Sequence, residues 1–320
     1  MTPRFALVIA ATCLLVAAHA GAGGQPPATK PRVALTFDDL PAHGPLLAGM
    51  TRVDVARSII DALRARKSPP VYGFINARQL ETTPADADVL RAWRDAGFPL
   101  GNHAYSHMDL HANTAEAFEA DVIANEATLR SMMGDRDWHW FRYPYLREGD
   151  TADKYKAVRA MLVRHGYRTA QVTIDFSDYA YNAPYVRCLA KNDTEALAWL
   201  KQSYIDRATA SLTRGQTSAR ALFGRDINHV MLLHIGAFET VMLPRLLELL
   251  DANGFVLTSL EEAQADEAYQ RVPERDSNWS GTLLNQLAPP RPSSTTPAAT
   301  SPATPQSATD VFAKLGGICN

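Results

Sequence analysis

Short apolar runs alternate with longer amphipathic segments along most of this chain. The runs with the length and composition of buried strands are residues 32–37, 71–76, 138–143, 167–174, 229–235 and 255–258. The amphipathic segments predicted to be helices are residues 54–66, 85–96, 115–133, 152–165 and 241–252. Repeated strand–helix units predict an α/β fold with a mainly parallel sheet and helices outside it, and their number suggests closure into a barrel.

Two segments interrupt this alternation. Residues 184–224 are polar and mostly helical in pattern, which predicts a helical insertion between two strands. Residues 289–309 are rich in Pro, Ser, Thr and Ala, a composition typical of disorder. The chain is therefore predicted to hold one folded domain, residues 32–285, followed by a low-complexity, disordered C-terminal tail, residues 286–320.

The first 20 residues have the parts of a signal peptide. Arg4 supplies a positive charge, residues 5–18 form an almost unbroken apolar run, and Ala18-His19-Ala20 has the small-x-small form that a signal peptidase cleaves. The run is too short for a comfortable membrane span, although an uncleaved N-terminal anchor is the alternative. We expect residues 1–20 to be removed and residues 21–31 to be a linker. The mature protein is then expected to be periplasmic or extracellular, with no membrane span.

Charge and cysteine content narrow the function classes. The formal net charge of the 320 residues is −2, so no global basic field indicates nucleic-acid binding. After cleavage only Cys188 and Cys319 remain, without a CxxC motif, which argues against a cysteine-based zinc site. In an oxidising compartment these cysteines could pair, but the sequence leaves two free thiols equally open.

Residues that can bind a metal follow two predicted strands. Asp38 and Asp39 end the first strand, and consecutive side chains of an extended chain point apart, so one carboxylate could bind a metal while the other faces a water molecule. A turn or a helix N-cap is the ordinary explanation for such a pair. His103 and His107 have the spacing of one face of a helical turn, and His111 repeats it. Two histidines with one aspartate would make a three-ligand site with an open position, which is typical of hydrolytic metal centres.

Further strand ends carry candidate catalytic side chains. Arg142 opens the sequence Arg-Tyr-Pro-Tyr, in which its guanidinium could bind a carboxylate and the proline would fix the turn that aims the amide of Tyr145. His234 ends another strand and could act as a general acid if an aspartate orients it. Asp178 is the preferred partner and Asp175 the second choice.

In their order along the chain, these residues resemble the five motifs of the polysaccharide deacetylases, also called carbohydrate esterase family 4. The family shows TFDDG, H[ST]xxH, RxPY, DxxDW and LxH. This chain has TFDDLP at 36–41, HAYSH at 103–107, RYPY at 142–145, DFSDY at 175–179 and LLH at 232–234. The resemblance spans roughly residues 32–262.

The resemblance implies a distorted (β/α) barrel of about seven strands and one divalent metal ion bound by Asp39, His103 and His107, which leaves His111 out. Zinc is the expected ion, with cobalt or nickel as alternatives. The resemblance also implies a role for each remaining motif residue. Asp38 would be the general base, Arg142 would hold it, His234 would be the general acid, Asp178 would tune that acid, and the Tyr145 amide would stabilise the oxyanion.

Several positions depart from the family pattern. Leu40-Pro41 stands where glycine is common, and His43 follows closely, as an extra substrate contact or simply an exposed residue. Ala104 replaces the Ser or Thr of the second motif, which removes a possible supporting hydroxyl. Tyr179 replaces the Trp of the fourth, which weakens the usual hydrophobic wall but could add a hydrogen bond to sugar.

The function implied is that of a metal-dependent deacetylase that removes N-acetyl groups from a glycan, with an acetylated glycan as its partner. The alternatives are an O-acetyl esterase of the xylan type, a hydrolase of a small cyclic amide, and a catalytically inactive glycan-binding protein. The signal peptide argues against the cyclic amide, since such catabolism is usually cytoplasmic. Asp38, Arg142 and His234 argue against the inactive protein, because binding alone needs no base, base-holder or acid.

Overall fold

The computed structural model describes residues 30–289 and 308–320. The predicted signal peptide, residues 21–29 of the predicted linker and residues 290–307 of the predicted tail lie outside the described residues.

Strands and helices alternate through most of the described chain, as the apolar pattern predicts. The strands are β1 Arg32–Leu40, β2 Tyr72–Ile75, β3 Leu100–Asn102, β4 Trp140–Phe141, β5 Arg147–Thr151, β6 Arg168–Thr169, β7 His229–His234, β8 Val256–Leu257 and β9 Ser277–Ser280. The helices are α1 Arg52–Ala65, α2 Gln79–Thr82, α3 Ala87–Asp95, α4 Ala115–Ala124, α5 Glu126–Met133, α6 Ala152–Arg164, α7 Asn182–Ala190, α8 Thr194–Phe223, α9 Glu239–Ala252, α10 Leu260–Gln264, α11 Leu283–Leu287 and α12 Ala308–Gly317.

Seven parallel strands form one strongly curled sheet in the order β6-β4-β3-β2-β1-β7, with β8 paired to β1. A parallel bridge between Ile174 and Met231 brings the chain that follows β6 against β7. The sheet therefore follows a distorted barrel, and the predicted fold is confirmed. The strands β5 and β9 make a separate antiparallel pair.

Strand β1 is the centre of the sheet. It lies between β2 and β7, and the side chains from Val33 to Asp38 are buried. A strand buried on both faces has no need for alternating polar residues, which explains the continuous apolar run before the two aspartates. Since all seven strands are parallel, their carboxyl ends meet at one mouth of the barrel, and the motif residues gather there.

The predicted helical insertion is present as α7 and α8, which pack on each other. Helix α12 lies against it and is joined to α7 by a disulfide between Cys188 and Cys319, with Cα atoms 5.1 Å apart. The prediction of a disordered tail to residue 320 is therefore wrong for α12, because Val311 and Leu315 are buried in the main core and the disulfide holds the helix there. In the part of the chain that the structure describes, every helix is too short or too polar to cross a membrane.

Candidate metal centre and active-site cleft

The five predicted motifs meet at one open cleft of about 400 Å³ at the mouth of the barrel. The predicted site residues that line it are Asp38, Asp39, His103, His107, Tyr145 and His234. Arg142 and Asp178 are buried, with side chains 1% and 2% exposed, and they contact Asp38 and His234 respectively. The structure thus brings all eight predicted residues together.

The end of β1 turns the two aspartates in different directions. The pairing of β1 with β2 slips between Phe37 and Leu40, and Asp39 adopts a left-handed φ of 66°. Aspartate is among the few residues other than glycine that tolerate this conformation. As a result, Asp38 faces Arg142 inside the barrel, while Asp39 faces the histidines of the second motif.

Asp39, His103 and His107 form a group that could hold a metal ion, with ligand atoms all within 4.8 Å of one another. Oδ1 of Asp39 lies 3.6 Å from Nε2 of His103 and 3.4 Å from Nε2 of His107. This oxygen is buried and has no hydrogen-bond partner among the described residues, as expected of an atom that needs a cation. The donor set therefore fits the ion that the sequence implies.

The imidazoles of His103 and His107 are in the neutral form that binds a metal ion. Nδ1 of His103 donates a hydrogen bond to the carbonyl oxygen of Arg142 at 2.8 Å, which leaves Nε2 unprotonated and facing Asp39. Burial lowers the pKa of His103 to about 4, and burial together with the charge of His103 lowers that of His107 to about 4. Both rings are thus neutral near pH 7, the form that binds metals.

The local conformation predicted for the second motif is wrong. Residues 103–107 do not form a helical turn, because Ala104 and His107 have left-handed φ angles of 60° and 57°. A compact loop after β3 brings the two imidazoles to a ring-centroid distance of 4.9 Å instead. His111 lies in the following short turn, Leu110–Ala112, and is not part of the ligand group.

Asp38 and Arg142 form a buried ion pair beside the candidate metal position. Nη1 of Arg142 lies 3.1 Å and 3.3 Å from the two carboxylate oxygens, and Nη2 donates to Oγ1 of Thr36. Burial raises the pKa of Asp38 to about 6, although the charges of Arg142 and His234 oppose the rise. The result is a carboxylate that is ionised near pH 7 and more basic than an exposed one.

His234 is held by Asp178, the partner that the sequence analysis preferred. Nδ1 of His234 lies 2.8 Å from one carboxylate oxygen, and the backbone N–H of His234 donates to the other at 2.6 Å. Burial lowers the pKa of His234, but the charge and hydrogen bond of Asp178 outweigh it and raise the value to about 10. Asp175 instead accepts a hydrogen bond from the backbone N–H of Ser177.

Two exposed tyrosines stand on the rim of the cleft. Tyr145 is 58% exposed and its ring centroid lies 4.4 Å from that of His107. Tyr179 is 47% exposed and its ring lies 5.4 Å from His234. The left-handed φ of 58° at Tyr145 turns the chain sharply after Pro144, at the position for which the sequence predicts an amide aimed into the cavity. The flat rings thus place apolar surface beside His107 and beside His234.

The sequence analysis left the role of His43 open. Nδ1 of His43 lies 2.8 Å from Oδ2 of Asp39, whereas the other oxygen, Oδ1, is the one that contacts His103 and His107. The only hint in the sequence is its position four residues after Asp39, in the loop that contains the cis peptide bond between Leu40 and Pro41.

Known proteins resemble this chain in both sequence and fold. Residues 25–170 match the family model described as polysaccharide deacetylase. A chitin deacetylase from Arthroderma benhamiae is 25% identical over 152 residues, which are 48% of this chain and 36% of that protein, so the match leaves most of the relative uncovered.

Two solved structures share the fold at a TM-score of 0.50. The chitin deacetylase from the fungal pathogen Colletotrichum lindemuthianum is 21% identical, over 74% of this chain and 88% of its own. A wild-type CE4 family pseudoenzyme from Bacillus anthracis is 14% identical, over 73% of this chain and 65% of its own. At these identities the structural matches establish the fold alone.

Proposed function

We propose, on the premise that this chain belongs to the polysaccharide deacetylase family, that it is a metal-dependent hydrolase removing N-acetyl groups from a sugar polymer or oligosaccharide. The observation that carries the proposal is the placement of Asp38 and His234 around the Asp39, His103 and His107 group in a single cleft. A binding site alone would need neither a raised carboxyl pKa nor a paired imidazole.

The metal ion is proposed to be zinc, held by Asp39, His103 and His107, because imidazole nitrogens with one carboxylate suit it; cobalt and nickel are alternatives. When bound, such an ion supplies a Lewis acid that polarises an acetyl carbonyl and lowers the pKa of a water molecule.

Asp38 is proposed to accept the proton of the attacking water. Its pKa of about 6 leaves it ionised at neutral pH and able to take a proton. Arg142 keeps the carboxylate of Asp38 in one orientation through two contacts, and both side chains are buried. The water oxygen then bonds to the acetyl carbon.

His234 is proposed to give a proton to the nitrogen of the sugar as the C–N bond breaks. The raised pKa keeps the ring protonated at neutral pH, and Asp178 fixes its orientation. The backbone amide of Tyr145 is proposed to donate a hydrogen bond to the oxyanion that forms during attack. The products are acetate and a free amino sugar.

Sugar rings are the proposed occupants of the rest of the cleft. The exposed rings of Tyr145 and Tyr179 offer flat apolar surfaces on which pyranose rings could stack. A polymeric glycan also fits the proposed export of the chain to the periplasm or the extracellular space, for which Arg4, the apolar run 5–18 and Ala18-His19-Ala20 are the support.

Acetate release from a substrate panel tests the proposal. The panel contains chitooligosaccharides, peptidoglycan and acetylated xylan, with Asp38→Asn as the matched inactive control. Release from the first two, absent in the control, is expected. Release from xylan alone would instead indicate an O-acetyl esterase, and tight glycan binding without release would indicate an inactive protein like the pseudoenzyme that shares its fold.

A further inference from the structure

We propose that His43 is a positioning residue that holds the outer oxygen of Asp39, so that the inner oxygen alone is presented to the metal. This inference rests on the proposed metal site and extends it by one residue outside the five motifs.

The two oxygens of Asp39 have different surroundings. Oδ1 faces Nε2 of His103 and Nε2 of His107 and has no hydrogen bond among the described residues. Oδ2 lies 2.8 Å from Nδ1 of His43, and because an ionised carboxylate can only accept, the imidazole is the donor. One oxygen is therefore free for a cation while the other is engaged, which favours binding through a single oxygen.

The loop that carries His43 is fixed at several points. The N–H of Ala42 donates to the carbonyl of Asp39 at 2.8 Å, and the N–H of His43 donates to the carbonyl of Ile235 beyond the end of β7. Asn182 then donates from its side chain to the carbonyl oxygens of His43 and Pro45. The histidine is thus anchored to β1, to the end of β7 and to the first residue of the helical insertion.

The same contacts argue against a direct role in substrate binding. Nδ1 is engaged by Asp39, and Nε2 lies 3.4 Å from the carbonyl oxygen of Tyr179. The ring also packs beside His234 at a centroid distance of 5.0 Å. The ring of His43 lines the cleft, but both of its nitrogens face protein atoms, so its hydrogen bond to Asp39 is the contact through which it would act on the metal site.

Partners of metal ligands commonly change metal affinity by about 10- to 100-fold when they are removed. We therefore expect His43→Leu to weaken zinc binding to that extent. His43→Asn should retain most of the affinity, because its amide nitrogen is as many bonds from Cβ as Nδ1 of the imidazole.

The experiment is competition for zinc between the full chain and a chromophoric chelator, with kcat and KM measured separately at saturating zinc. The control is His165→Ala, which removes an imidazole paired with Glu119 at 2.9 Å outside the cleft and should leave zinc affinity unchanged. Thermal unfolding of the metal-free variants shows whether each is folded.

The outcomes separate this inference from the proposed function. If wild type binds zinc and His43→Leu binds it equally well, His43 has no positioning role. Equal weakening in His43→Leu and His43→Asn, with both folded, would also overturn it. If the wild-type protein does not bind zinc, the proposed metal centre is wrong, and His43 has no metal ligand to position.

Discussion

Asp178 contacts His234 through both of its carboxylate oxygens. One oxygen is hydrogen-bonded to the ring nitrogen Nδ1, and the other accepts a hydrogen bond from the backbone N–H. Because both contacts come from one buried carboxylate, the ring is oriented and stabilised in its charged form at the same time. The pair is the proposed acid of the reaction, and its properties can be tested by titration.

The pH profile of kcat/KM is expected to be bell-shaped. Activity should rise as pH increases through the pKa of Asp38, about 6, because a base must be deprotonated. It should fall as pH increases through that of His234, about 10, because an acid must be protonated. A flat profile between pH 5 and 11, measured as acetate release, would contradict this pair.

Asp178→Asn should lower kcat by about 100-fold and move the alkaline limb to lower pH, because the substitution removes the charge that stabilises the protonated ring. Asp175→Asn is the matched comparison, since it removes another carboxylate of the same cleft whose charge also acts on His234 but whose hydrogen bond goes to the Ser177 amide. An equal shift of the limb in both variants would show that the assignment to Asp178 is mistaken.

Asp38→Asn should reduce turnover by at least about 100-fold while a divalent ion remains bound. The amide cannot accept the water proton, yet the ligand group Asp39, His103 and His107 is left in place. Activity and metal content, measured on the same sample by acetate assay and elemental analysis, check both halves. Normal turnover in this variant would exclude Asp38 as the base.

His103→Ala and His107→Ala should each lose bound metal, whereas His111→Gln should keep it. The first two remove ligand atoms close to Asp39, and the third alters a residue outside the ligand group. Metal content after dialysis against trace zinc gives the answer. Loss of metal in His111→Gln, with normal unfolding temperature, would place the ion elsewhere.

Breaking the Cys188–Cys319 disulfide should lower the free energy of unfolding by about 2–4 kcal/mol, because the bridge closes a loop whose ends are 131 residues apart. Urea unfolding of wild type with and without a reducing agent measures the change. The double variant Cys188→Ala/Cys319→Ala is the control and should not respond to the reducing agent. Superimposable wild-type curves would mean that the bridge adds no stability.

The sequence predicts the fold, and the edge at which candidate site residues meet, because parallel strands impose a simple geometry. Short apolar runs end in Asp38, Arg142 and His234, and the carboxyl ends of such strands must meet at one mouth. Little knowledge of side-chain packing is needed for that step. The resemblance to a known family then supplies the proposed role of each residue. It also chooses between His103, His107 and His111, a choice that spacing alone leaves open.

The features that the sequence does not predict depend on contacts between distant segments. The loop at 103–107 is held by Asn76, whose side chain donates to the carbonyls of His103 and Ala104. His43 is placed by a loop that Asn182 secures from 139 positions away. Neither relationship leaves a periodic signal in the local sequence.

Helix α12 is another feature that the local composition of the sequence does not predict. The composition of residues 289–309, rich in Pro, Ser, Thr and Ala, predicts disorder, and helix α12 begins at the end of that segment. Helix α12 nevertheless packs on the insertion, because Val311 and Leu315 reach the core and Arg187 donates to the carbonyl oxygens of Leu315 and Ile318. These partners are more than 100 residues away, so a local reading of composition misses them.

The central position of β1 also has a consequence for the order in which the sheet can form during synthesis. Its partner β7 leaves the ribosome much later, since Thr36 and its hydrogen-bond partner Met231 are 195 residues apart. During that interval one edge of a largely apolar strand lacks its neighbour, which is a hazard for association with other nascent chains. The barrel can close only after β7 has been synthesised, so cellular yield should depend on how well chaperones shield β1 until then.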